Sequence, residues 1–131
     1  MVILDTNVVI DHLRQKRGTP TLYKNLVSLY KKQNLSFSVI TIQELYSGKS
    51  TRNDMKMNKL SSAISHINIY HLTPNIAKIA GQITRDHSQS IQFADAAIAA
   101  TCIHYGAGLA TLNTKDFVGI PHLQLLKLPI S

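Results

Sequence analysis

Seven acidic residues are spread over 131 positions, and four of them stand where a carboxylate has chemistry open to it. Asp5 directly follows the apolar triplet Val2-Ile3-Leu4. Glu44, the only glutamate, falls in Thr41-Ile42-Gln43-Glu44, behind the strand-like Leu35 to Ile40. Asp95 interrupts Phe93-Ala94-Asp95-Ala96-Ala97-Ile98-Ala99-Ala100, and Asp116 closes Asn113-Thr114-Lys115-Asp116 behind Leu109-Ala110-Thr111. In open α/β sheets ligands bind beyond the carboxyl ends of the strands. Three carboxylates at strand ends and a fourth on a helix make a hard, oxygen-rich site suited to Mg²⁺ or Mn²⁺ rather than zinc.

Each acid also has a purely structural role open to it. Asp5 can cap a helix beginning near Asn7. Thr41 and Glu44 have the spacing of a capping box, and Asn113 with Asp116 repeats it. Asp95 is harder to explain that way, because Ile91, Ile98 and Cys102 at i−4, i+3 and i+7 place it on an apolar helix face. An unpaired charge there costs several kcal/mol, so it needs either a cation or a Lys or Arg folded back from elsewhere. His104 and Lys115, the nearest downstream bases, do not stand at helix-pair spacing from it. The six histidines are scattered without an HxH or HxxxH pair, and no Gly-rich phosphate loop or G-x-S-x-G elbow is present. Asp11, Asp54 and Asp86 lie in polar or amphipathic surroundings and read as surface charges.

The elements that must position these groups follow from the apolar pattern. Val2 to Leu4 predicts a short buried strand, and Val8-Val9-Ile10 with Leu13 predicts a helix ending before Gly18. Thr19-Pro20 has the form of an N-cap and first helical residue, leading into Leu22, Tyr23, Leu26, Leu29 and Tyr30. Leu35 to Ile40 is β-like, and Thr41 is expected to begin the next helix. Leu60, Ala63, Ile64 and Ile67 form a further stripe, followed by a strand around Ile69 to Leu72. Thr73-Pro74 repeats the cap signal before Ile76, Ile79, Ala80 and Ile83. Phe93 to Ile103 is apolar nearly all round, which predicts a central buried helix stopping near Gly106 and Gly108. Leu109 to Thr111 and Leu123 to Leu128 are the last strand candidates. Short apolar strands alternating with helices argue for an α/β fold with a parallel sheet, and no repeat or linker divides residues 1–131 into more than one domain.

The charge balance is strongly basic, with 14 Lys and Arg giving a net charge of +7. A polyanionic partner is the natural reading, and Arg14, Lys16, Arg17 with Lys49, Arg52, Lys56 and Lys59 gather in polar segments. No apolar run approaches the ~18 residues of a membrane span. The single Cys102 suits a reducing cytosol, and the N-terminus lacks the basic flank and apolar run of a secretory signal. A cytoplasmic location is therefore expected.

Four segments in this order carry a resemblance. They are Leu4-Asp5-Thr6-Asn7-Val8, Thr41-Ile42-Gln43-Glu44-Leu45 with Gly48, the Asp95 to Ala100 helix, and Thr111-Leu112-Asn113-Thr114-Lys115-Asp116-Phe117. Nearly end to end the chain resembles PIN-domain ribonucleases, in particular the VapC-type toxins of bacterial toxin–antitoxin pairs. The resemblance implies a three-layer α/β/α fold with a central parallel sheet and a catalytic quartet of Asp5, Glu44, Asp95 and Asp116. It makes Asp5 and Asp95 direct ligands of Mg²⁺, with Mn²⁺ an alternative, while Thr6, Thr111 and Asn113 orient carboxylates or water. It further implies RNA as substrate, a homodimer, and a VapB-type antitoxin that blocks the site. Arg14, Lys16, Arg17, Lys49 and Arg52 are the candidate RNA contacts. The Lys127 to Ser131 tail has no matching family feature. Two rivals stay open: a metal-dependent DNA nuclease or other phosphoesterase, and a non-catalytic nucleic-acid-binding module, which leaves Asp95 unexplained.

Overall fold

The computed structural model describes residues 1–128, so Pro129 to Ser131 of the C-terminal tail lie outside the described residues. Its strands are β1 (Val2–Leu4), β2 (Leu35–Ser38), β3 (Asn68–Tyr70), β4 (Gly108–Ala110) and β5 (Gln124–Leu125). They form one sheet in the order β3-β2-β1-β4-β5, and every pairing is parallel. Parallel pairs need crossovers, which the helices α1 (Thr6–Arg14), α2 (Leu22–Tyr30), α3 (Val39–Ser47), α4 (Asp54–Ile64), α5 (Pro74–Asp86) and α6 (Phe93–Tyr105) supply.

Strand periodicity of two divides the core between the two faces of the sheet. Val2 and Leu4 of β1, Leu35 and Phe37 of β2 and Ala110 of β4 turn to one side, where they pack on Val8, Val9, Leu26, Leu45 and Leu60 from α1 to α4. Ile3 and Leu109 turn to the other side and meet Ile76 and Ile83 of α5 and the Ala96 to Cys102 stretch of α6. The three-layer α/β/α arrangement is thus the one expected. Full burial of each Leu, Ile or Phe here contributes about 1.5–3 kcal/mol. The Tyr23 hydroxyl donates to the Ala63 carbonyl and ties α2 to α4.

The central strand carries the functional consequence. From β1 the chain builds β2 and β3 to one side, then returns through α5 and α6 to place β4 on the other side of β1. The strand order therefore reverses between β1 and β4, and a crevice opens beyond their carboxyl ends at such a point. Asp5 stands directly at that end of β1.

Several boundaries differ from those read in the sequence, each because a different side chain makes the cap. Thr21, not Thr19, caps α2, its hydroxyl accepting from the Lys24 N–H at 3.2 Å. The β2 strand stops at Ser38, whose Oγ accepts from the Ile40 N–H, so α3 starts at Val39 and Thr41 lies inside it. The strands β3, β4 and β5 are shorter or shifted by a residue relative to the apolar runs, because only the hydrogen-bonded positions extend the sheet. Thr73 caps α5 as expected, and Gly106 ends α6 at φ 64°, a conformation favouring glycine.

Candidate active site

A strand-to-helix turn, the middle of one helix, the start of another and a 3₁₀ turn carry the four acids. Asp5 occupies the turn between β1 and α1, with only 6% of its surface exposed. Its Oδ1 accepts the Thr6 N–H at 2.8 Å, so it does cap α1, and its Oδ2 accepts the Thr111 hydroxyl at 2.7 Å. The capping role and the site role therefore coexist in one carboxylate, one oxygen for each.

Glu44 is not part of a capping box. With α3 beginning at Val39, it lies in the middle of that helix, and its Oε1 accepts from the Thr6 hydroxyl at 2.6 Å. The buried Thr41 hydroxyl lies 3.2 Å from the same Thr6 oxygen, one helical turn before Glu44. Asp116 is on a short 3₁₀ turn, Thr114–Phe117, and the Asn113 amide donates to its Oδ2 at 2.6 Å. The Asn113 side chain caps nothing there, so the second suggested capping box is absent too.

Asp95 departs from the sequence expectation. It is the third residue of α6 and half-buried, ahead of the fully buried stretch that starts at Ala96. The first turn of a helix favours a carboxylate, since unpaired N–H groups there carry partial positive charge. That offsets part of the cost assigned to a buried charge, but no basic side chain completes the compensation. Among the described residues the one ion pair joins Arg85 to Asp86, at the exposed end of α5.

The four acids act on one another electrostatically. Burial pushes the Asp95 carboxyl up to about 6, and the charges of Asp5, Asp116 and Glu44 push in the same direction. Burial also raises Asp5, opposed by its bonds to Thr111 and Thr6 and reinforced by Glu44 and Asp116. Without a cation the four acids repel one another, and two of them hold their protons more tightly than free carboxyls do.

Thr6, Thr111 and Asn113 each donate to a different acid, Glu44, Asp5 and Asp116 respectively. Thr111 is the hub, for its buried oxygen also receives the Asn7 amide at 3.2 Å and the Asn113 N–H at 3.0 Å. Asn7 in turn accepts from the Leu112 N–H at 3.1 Å. Sequence reasoning gave Asn7 no role in the site and made Thr41 a helix cap. Their signal was spacing alone: Asn7 two residues after Asp5, Thr41 three before Glu44. A polar cleft of about 390 Å³ lies against this edge, lined by His87, Gln89, Gln92, Asp95, Lys115 and Asp116.

The donor set fits a divalent cation. Its oxygens are hard, and at least two of its carboxylates are destabilised as anions until a positive charge arrives. Among the described residues no three His, Cys, Asp or Glu side chains converge closely enough to enclose a metal on their own.

The model of the PIN domain family matches residues 2–122. The chain belongs to the PIN domain family. This PIN domain is 29% identical over 127 residues to Ribonuclease VapC19 of Mycobacterium tuberculosis, covering 95% of this chain and 98% of that protein. Ribonuclease VapC2 of Rickettsia felis is 29% identical over 128 residues, with 94% of each chain covered. Among solved structures, VapBC2 from Rickettsia felis bound to a DNA fragment from its promoter superposes with a TM-score of 0.84. It is 27% identical and covers 98% of this chain and all of that one. A toxin–antitoxin complex from Klebsiella pneumoniae gives 0.75 at 27% identity, covering 94% and 95%.

The five basic residues expected to contact RNA do not join the acids, although Lys115 lines the cleft with Asp95 and Asp116. Arg14 ends α1, and Lys49 and Arg52 lie on the 3₁₀ turn Lys49–Arg52 after α3, all exposed. Lys16 and Arg17 line a separate cavity of about 640 Å³ together with His12, Lys24, Met55 and Lys59. Among the described residues no acid lines it. Burial, then the charges of Lys24 and Lys59, depress the His12 pKa there.

Proposed function

We propose that this PIN domain is a Mg²⁺-dependent endoribonuclease, the toxin of a VapBC-type pair, acting on phosphodiester bonds in RNA. What supports the reading is the crevice beyond β1 and β4: the charges of Asp5, Asp116 and Glu44 all act on Asp95, and among the described residues none of the four acids forms an ion pair. Asp5 and Asp95 would hold the cation, and Glu44 and Asp116 complete the acidic rim. When bound, the cation supplies charge to the scissile phosphate, a more acidic water for in-line attack, and stabilisation of the leaving oxygen. The protein's own work is placement. Thr111 fixes the rotamer of Asp5 through Oδ2, Thr6 fixes Glu44, and Asn113 fixes Asp116, so each of these three acids is held in one orientation. By analogy with the family, hydrolysis would leave a 5′-phosphate and a 3′-hydroxyl, and splayed single-stranded loops of tRNA or rRNA are the RNA form whose bases a protein can reach.

Arg14, Lys16, Arg17, Lys49 and Arg52 would hold the RNA backbone. The similar structures solved as toxin–antitoxin complexes support a VapB-type antitoxin as partner of this chain, and a homodimer is the assembly proposed with it. No helix of the described residues is long and apolar enough to cross a membrane, and a cytoplasmic site of action is proposed with the RNA substrate. The deciding experiment is incubation with total cellular RNA, with Mg²⁺, Mn²⁺ or chelator, followed by mapping of the cleaved ends. Cation-dependent cuts bearing 5′-phosphates support the reading. Equal cutting of DNA in competition would transfer the same quartet to a DNA nuclease.

A further inference from the structure

We infer that His87 is a positioning residue, strapping together the two walls of the cleft that hold Asp95 and Asp116. The inference rests on the reading of that cleft as the active site. One wall is the connection 87–92 between α5 and α6, which leads directly into the first turn of α6 and Asp95. The other is the chain just after Asp116. Neither wall belongs to the sheet; Phe117 packs the second against α6 in the core, and the His87 imidazole bonds it to the first at the cleft side.

The geometry is specific. His87 is the residue that caps the C-terminus of α5, and its imidazole reaches out on both sides. Nδ1 lies 2.8 Å from the Gln89 carbonyl oxygen and Nε2 lies 3.1 Å from that of Val118. A carbonyl only accepts, so each contact requires a hydrogen on the ring nitrogen facing it, and the two together require the imidazolium. The neutral ring can keep Val118 through Nε2–H while Nδ1 accepts from the Gln89 N–H, but that contact is longer, at 3.3 Å. In either form the bond to Val118 crosses the cleft wall, 31 positions along the chain. The bonds to both carbonyls raise the His87 pKa. Asp95, Lys115 and Asp116 share the cleft with the ring, and Asp86, already paired with Arg85, and His122 stand on its other side.

Val118 is two residues beyond Asp116, and its side chain is 62% exposed, so packing does little to fix its backbone. Phe117 and Ile120 anchor the turn from below. His87 supplies the tie from the cleft side, and through it the distance from Asp116 to the start of α6 is held. Misplacing one member of a catalytic set by about an ångström costs up to about a hundredfold in rate.

The test compares wild type, His87→Ala and His87→Gln for RNA cleavage, thermal unfolding and the backbone amide resonances of residues 115–119. We expect His87→Ala to lower kcat about tenfold with a smaller change in KM, and to shift those amides. His87→Gln, whose amide can reach one of the two carbonyls, should recover part of the loss. A residue that merely caps α5 would lower the melting temperature and leave kcat at 25 °C unchanged. Wild-type kcat in His87→Ala therefore overturns the inference, whatever its stability. If wild type itself cuts no RNA, the ribonuclease reading fails, and the amide shifts of 115–119 alone decide whether the strap exists.

Discussion

The two ends of α1 carry opposite charges, held in opposite ways. At its start, Asp5 is buried and both of its oxygens are taken by short hydrogen bonds, and each neighbouring polar group is fixed in turn by Thr6, Thr111, Asn7 or Asn113. Beyond its end, about 13 Å away at 1.5 Å per residue, Lys16 and Arg17 project with Lys24 and Lys59 around a wide cavity. Among the described residues none of these four cations has an acidic partner. The acidic end specifies positions to a fraction of an ångström; the basic end supplies charge on long, flexible stems. Chemistry at a bond needs the first kind of construction, and attraction of a polyanion needs only the second.

That contrast breaks most decisively at the acidic end. Replacing Asp5 with Asn keeps the shape and removes the charge, and RNA cleavage should fall by about 10³-fold or more, to background. The same change should remove most of the melting-temperature increase that Mg²⁺ gives wild type by binding the folded state preferentially. Cleavage retained within tenfold would remove Asp5 from the catalytic set. Thr111→Val probes the scaffold rather than the charge. It leaves Asp5 Oδ2, the Asn7 amide and the Asn113 N–H without their shared partner, so a loss of about 1–3 kcal/mol in unfolding free energy is expected. A smaller fall in kcat than for Asp5→Asn should accompany it. An unchanged melting temperature would show that water replaces the hydroxyl and that the hub is dispensable.

How much of this was legible beforehand varies with the kind of force involved. The placement of Asp5 and Asp116 could be read because both follow apolar strands, and sheet topology sends such positions to one edge; Glu44 reaches Thr6 from within α3 instead. The layers could be read because Val2, Leu4 and Ile3 must take opposite faces. Caps were less readable: Thr19, Thr21, Ser38 and Thr41 are all competent, and tertiary packing of Tyr23 and Leu45 decides which of them ends up at the helix start. The environment of Asp95 was misjudged for a related reason. Its helix is apolar all round, but its depth depends on where the helix begins, and Gln92 places it on the first turn. His87 carried no sequence signal, since its two partners are backbone carbonyls.

The basic end should answer weakly and in a different variable. Neutralising Lys16, Arg17, Lys24 and Lys59 together should lower the salt dependence of RNA binding by about one unit of slope for each cation that contacts a phosphate. It should leave kcat at saturating RNA near that of wild type. An unchanged slope would move the RNA footprint to Lys49 and Arg52, on the turn that follows the Glu44 helix. A collapse of kcat would mean that the two ends are not separate devices at all.

The smallest effect tests whether the acidic end is strained without its cation. The folded state holds the Asp95 carboxyl at about 6, well above its ordinary value of 3.8, first through burial and then through Asp5, Asp116 and Glu44. Between those two values the native state keeps a proton that the unfolded chain has already released. Fewer protons are then bound on unfolding, so the stability of the metal-free protein must fall as pH rises from about 4 to about 6, and the contribution present below that window is gone above it. Asp95→Asn has no proton to lose there. It should flatten this part of the stability profile and, at pH 7 without metal, exceed wild type by about 1 kcal/mol, as removal of a functional charge commonly does. Added Mg²⁺ should reverse the order, since only wild type gains its full binding energy. Thermal unfolding at pH 4.5, 6 and 7.5, at low salt and with or without Mg²⁺, measures all of this. A mutant less stable than wild type at pH 7 in chelator would mean that the Asp95 anion stabilises the fold, through the α6 N-terminus or an unseen cation. The account of the quartet as mutually repelling acids would then be wrong.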